Sequence, residues 1–179
     1  MDVFVEQIIA KKKTVKDLLI IIASIIGFII ITFLILAIAP HFIGPLTFFL
    51  IFGLGYGLWW LLTSLNIEYE YSVTNGDIDI DQIIAKRKRK RVVSVSGKRI
   101  ERLELYSHQE YAGRRFDRQV IAAPSLNEPG LWCFTYRSKK NGHTLVVFQP
   151  EKRVLEALKS GLSALVLRET NKKLQSEGK

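Results

Sequence analysis

The sequence predicts an α-helical transmembrane hairpin followed by a mainly-β cytoplasmic domain closed by a C-terminal helix. Three observations predict it. Leu18 to Ile67 is a run of fifty residues without Asp, Glu, Lys or Arg, although the 179-residue chain carries a formal net charge of +9. Apolar and charged residues are thus segregated along the chain instead of mixed as in an ordinary soluble domain. At Ile67 the apolar period becomes two, that of a strand with one buried face, and after Pro150 it becomes helical. The 179 residues hold one ordinary domain plus something small, which argues against a multidomain enzyme architecture.

The first segment, residues 1–16, places Phe4, Val5, Ile8 and Ile9 on one helical face and Glu6 and the lysines elsewhere. A short interfacial helix and a solvated extension of the first span are both consistent with it. Crossing a hydrocarbon core takes about 20 apolar residues, so the charge-free run suffices for two crossings within residues 17–66. The spans are read as Asp17 to Ala39 and Pro45 to Leu65, broken by Ala39-Pro40-His41-Phe42-Ile43-Gly44-Pro45. Ala37-Ile38-Ala39 has the form of a signal cleavage site, but the apolar stretch before it is too long and a proline follows the cut.

Orientation follows from Lys and Arg. Lys11, Lys12, Lys13 and Lys16 precede the first span, 22 of the 26 basic residues follow the second, and the short loop has none. Both termini are therefore expected in the cytoplasm of a multi-pass plasma-membrane protein. Tyr56, Trp59 and Trp60 lie where amphipathic rings anchor a span at the interface. Ala23 with Gly27, and Gly53 with Gly57, form small-xxx-small pairs that invite close helix packing, within the hairpin or between copies.

The soluble part, residues 67–168, opens with Ile67, Tyr69, Tyr71 and Val73 alternating with polar residues, then Asn75-Gly76, the preferred pair of a two-residue type I′ turn. The returning strand carries Asp77, Asp79 and Asp81 on its outer face. Lys86-Arg87-Lys88-Arg89-Lys90-Arg91 follows, with Lys98 and Arg99 beyond. One reading lays this basic run beside the acidic face, each cross-strand pair contributing roughly 0.2 to 1 kcal/mol. Six consecutive cations cannot share one face of a strand, so a second reading turns the others to an anionic membrane surface; nucleic acid or an acidic protein is the least favoured partner. Strands are expected at Val92 to Ser96, Ile100 to Tyr106, Gln119 to Ala122, Leu131 to Tyr136 and His143 to Phe148. Arg114, Arg115 and Arg118 form a second basic cluster in an irregular segment, where anion contact and simple solubility both remain open. A helix opening at Pro150-Glu151 uses Val154, Leu155, Leu158, Leu162, Leu165 and Val166, and a polar tail, 169–179, is expected to fray.

This outline resembles a pleckstrin-homology-like domain. The resemblance rests on Tyr69-Glu70-Tyr71-Ser72-Val73-Thr74-Asn75-Gly76-Asp77-Ile78-Asp79-Ile80, the basic strand after it, and Leu145-Val146-Val147-Phe148-Gln149-Pro150-Glu151 leading into the helix. The whole chain also resembles a family of small membrane proteins from Clostridia-type Firmicutes in which a two-span hairpin precedes such a domain. What the resemblance implies is a binding module on a membrane anchor.

No catalytic, metal or cofactor motif is legible. Cys133, the single cysteine, sits between Trp132 and Phe134 as a core thiol would. His41, His108 and His143 lie in separate segments, and Asp77, Asp79 and Asp81 read as a solvated strand face. The sequence is therefore read as non-enzymatic: a scaffold or sensor at the anionic leaflet, with membrane lipids as partners. The alternative is an accessory subunit of a membrane transport or secretion complex, with a protein partner or a second copy.

Overall fold

The computed structural model describes residues 3–111 and 113–177 and divides the chain into two compact units, one of residues 12–67 and the other of residues 1–11 with 68–179. The first strand, β1 (Phe4–Ala10), thus belongs to the β domain although both helices of the other unit, α1 (Val15–Ile43) and α2 (Leu46–Ser64), separate it from β2 (Ile67–Thr74). This corrects both readings of the first segment, the interfacial helix and the solvated extension of the first span. β1 pairs antiparallel with β2 from Phe4 opposite Thr74 to Ala10 opposite Glu68, and its β-branched residues suit the pleat. Its buried Gln7 is satisfied at both ends of the amide, donating to the Gln149 carbonyl at 3.1 Å and accepting from the Glu151 amide at 2.8 Å.

In the helical unit, Thr14 and Asp17 close a capping box that starts α1 at Val15. The helix does not stop at Ala39 as expected; it runs through Pro40 to Ile43, and the Gly44 amide closes the last turn on the Pro40 carbonyl at 3.2 Å. Proline removes one helical donor without forbidding the turns that follow it. α2 follows after Gly44 and Pro45 alone. Both helices are long and apolar enough to cross a membrane.

In the domain, β2 turns through Asn75 and Gly76, both at positive φ as a type I′ turn requires, into β3 (Asp77–Ile84), and β4 (Lys88–Val95) completes a sheet ordered β1-β2-β3-β4. A single 3-10 turn at Gly97–Arg99 leads to β5 (Ile100–Leu105), and the short α3 (His108–Tyr111) precedes β6 (Arg118–Ala122). β7 (Trp132–Ser138) and β8 (Gly142–Phe148) form a hairpin. The second sheet is ordered β5-β7-β8-β6, with β6 parallel to β8.

The main core joins Tyr71, Val73, Ile78, Ile80 and Val93 of the first sheet to Phe134, Val146 and Phe148 of the second, and to Val154 and Leu158 of α4 (Lys152–Ser160). The Tyr71 hydroxyl donates to the Ala122 carbonyl and its ring meets Phe148 edge-on at 5.7 Å. The predicted single C-terminal helix is two, because Gly161 ends α4 before α5 (Ala164–Glu177) begins. Nor does the tail fray over its described residues, 169–177, where Thr170 is buried and donates to the Leu103 carbonyl at 2.7 Å; residues 178–179 lie outside the described ones. Gly76, Gly97 and Gly161 meet backbone to backbone where the β2–β3 turn, the end of β4 and the end of α4 converge. A second, smaller core lies around Cys133, where Tyr111, Ala123, Leu131, Leu145 and Val147 are buried with it.

Candidate functional site

The basic run becomes the tip and the far strand of the β3–β4 hairpin. Ala85 and Lys86 form the turn, both at positive φ, and the Arg87 amide donates to the Ile84 carbonyl at 3.0 Å. A bulge then decides which cations meet the acidic face. Ile80 lies opposite Val93 but Asp81 lies opposite Arg91, leaving Val92 as the extra residue. Without it, period-two alternation would put Arg91 on the core face with Val93 and Val95; the extra residue reverses the phase. Arg91 therefore donates to Asp81 at 2.6 Å and Asp79 at 2.7 Å, and Arg89 reaches Glu70 of β2 at 2.5 Å.

Two of these carboxylates are nearly sealed from solvent, Glu70 at 3% and Asp81 at 6% exposure. Burial raises the Glu70 carboxyl and a hydrogen bond with the neighbouring Glu6 adds to it, more than Arg89 lowers it. The hydrogen bond to Asp81 holds the Arg91 guanidinium more firmly charged.

The remaining cations behave differently. Lys86, Lys88 and Lys90 are exposed and make no ion pair among the described residues, and the same holds for Lys98 and Arg115. Arg87 is exposed at the tip. Arg99 donates to the Arg137 carbonyl at 2.8 Å, and Arg118, half-buried, reaches the Val92 carbonyl at 3.4 Å. Arg114 pairs with Glu110 at 2.8 Å and lies over the Tyr111 ring at 4.8 Å. The predicted second cluster is thus divided: Arg114 and Arg118 serve the fold, and Arg115 faces outward.

The cysteine is placed as a packed core thiol. Cys133 is fully buried and burial pushes its thiol up to about 12, which leaves it protonated and inert. Among the described residues no group of three or more His, Cys, Asp or Glu side chains could hold a metal ion. The buried Glu104 accepts from Tyr111 and from Lys173 of α5, a charged network that joins three elements and that the sequence did not signal. Burial raises its carboxyl, but these two donors outweigh burial and hold it below the ordinary carboxylate value.

In the helical unit, Tyr56, Trp59 and Trp60 are all more than half exposed on α2, with the Tyr56 and Trp59 rings 5.6 Å apart. The small residues do not make the close contact that their spacing predicts. Ala23 is exposed; Gly27, Gly53 and Gly57 line a groove of about 390 Å³ between the helices, and a Cβ added to any of the three would meet nothing within 4 Å. The Phe28 ring instead approaches at Gly55, 3.9 Å from where a Cβ would sit.

Two four-stranded sheets with the main core between them and a helix packed at its end fit a PH-like domain. The chain belongs to the bacterial PH-like domain family DUF6106, which it matches over residues 1–167, a range that takes in β1 and both apolar helices as well as the domain. No curated protein and no solved structure matches it.

Proposed function

We propose that the chain is a non-enzymatic integral membrane protein whose α1 and α2 cross the plasma membrane, with both termini cytoplasmic, and whose PH-like domain is a binding or scaffold module facing the anionic inner leaflet. The observation that carries this reading is the division of the basic run. With Arg89 and Arg91 engaged by Glu70, Asp79 and Asp81, the exposed Lys86, Lys88 and Lys90 are left for an external anion. Each such cation near an anionic leaflet contributes about 1 kcal/mol, an attraction that fades within a Debye length of about 8 Å. The membrane assignment is supported by the helices themselves, on which Phe33, Phe48, Phe49 and Phe52 are 66 to 77% exposed. Four residues, Lys11 to Thr14, link β1 to α1, and two, Leu65 and Asn66, link α2 to β2.

Pulse acetylation of the full chain in nanodiscs tests the proposal. Lys86, Lys88 and Lys90 are expected to react several-fold more slowly in anionic than in zwitterionic discs, with the protection lost at high salt and Lys152 unaffected. Equal reactivity in both lipids overturns leaflet contact. If a stoichiometric protein then survives mild-detergent purification with the chain, the accessory-subunit reading takes its place.

A further inference from the structure

A hollow of about 280 Å³ opens on the face of the second sheet that carries the smaller core. The parallel pairing of β6 with β8 sets Gln119 beside Leu145 and Ile121 beside Val147, and these four side chains form its floor. The Tyr106 and Tyr111 rings, stacked with centroids 5.7 Å apart, wall one side, and Leu126 from the β6–β7 connection lines the hollow as well. Two polar groups are added to this apolar lining. His108 approaches the Tyr106 hydroxyl through Nδ1 at 3.4 Å, and the exposed Gln119 amide has no hydrogen-bond partner among the described residues.

This lining selects a ligand chemistry. Among the described residues no carboxylate, ammonium or guanidinium lines the hollow, so a charged ligand would lose hydration there without a counter-charge. An apolar cavity of about 150 Å³ accepts benzene, and this one has room for a second fused ring. Flat tyrosine rings favour a flat partner, and Gln119 with His108 can satisfy one polar edge. Mostly apolar walls with a few placed polar groups are the usual make-up of a small-molecule pocket. We propose that this hollow is a binding site for a small, uncharged, planar molecule of one or two fused aromatic rings with a hydrogen-bonding edge, distinct from the lysines that face the leaflet.

The test uses the full chain in nanodiscs with 5-fluoroindole as probe, followed by fluorine NMR. Partition into lipid does not saturate and occurs equally in discs without protein, whereas site binding saturates at one per chain and is displaced by unlabelled indole. Ile121 is 42% exposed, so Ile121→Trp fills the hollow from the solvent side and is expected to weaken saturable binding at least tenfold. Gln119→Leu is expected to weaken 5-fluoroindole several-fold while leaving 1-fluoronaphthalene, which lacks a polar edge, unchanged. Should Ile121→Trp lower the melting temperature, the Gln119 comparison decides alone. Absence of a saturable component, or saturable binding indifferent to these substitutions, overturns the proposal.

Discussion

Gly161 has no room for a side chain. A Cβ there would lie 2.5 Å from the Gly76 Cα and carbonyl oxygen, backbone atoms that cannot swing aside. Gly161→Ala is therefore expected to cost about 1 to 3 kcal/mol, the penalty of overpacking, and to lower the melting temperature. Gly113→Ala, with nothing within 4 Å of its Cβ, is expected to change stability by less than about 0.5 kcal/mol. The turn at Asn75-Gly76 was legible because its chemistry is local, but the dependence of that turn on Gly161 and Gly97 was not, because it arises from three distant stretches of backbone meeting. Glu104 gives a pH signature. Its carboxyl is held below the ordinary value of 4.5, so it binds protons more weakly folded than unfolded. Its contribution is present above that pH and lost as pH falls through the lower, folded value. Thermal unfolding from pH 7 to pH 3 should show the stability advantage of the native chain over Glu104→Gln shrinking on acidification; a constant difference would detach Glu104 from the acid response.

β4 holds two populations of cations on one short strand. Arg91→Gln leaves Asp81 buried without its partner and is expected to destabilise by about 1 to 3 kcal/mol. Lys88→Gln with Lys90→Gln is expected to leave the melting temperature within about a degree while abolishing the lipid-dependent protection of the tip, because surface charges contribute little to folding. Equal loss of stability in both variants would show that the lysines too are structural. The pairing of the basic run with the acidic strand was legible from its charge; the bulge that sets its phase was not, because Val92 resembles its neighbours. β1 was misread for a related reason. Phe4, Val5, Ile8 and Ile9 fit a helical face, but the inward residues are Val5, Gln7 and Ile9, and the polar one is satisfied only by Gln149 and Glu151 at the other end of the chain. The C-terminal helix was recognised by its apolar spacing, yet its division at Gly161 and the anchoring of Lys173 on Glu104 depend on partners that periodicity does not report.

At the scale of the whole molecule, the two apolar helices are an insertion between neighbouring strands of one sheet, since Ala10 and Glu68 are paired. For the proposed topology, His41→Cys in a Cys133→Ala background should label with an impermeant thiol reagent on intact cells, and Lys140→Cys only after permeabilisation. The opposite pattern would place the domain outside and remove the inner leaflet as its partner. The pairing of β1 with β2 also orders events during synthesis. β1 leaves the ribosome before β2, which is made only after both helices, so Phe4 to Ala10 has no ladder partner for that whole interval. The sheet cannot acquire its edge before the helices are complete, and a chain arrested at the helix stage would keep that strand available to chaperones or to other nascent chains.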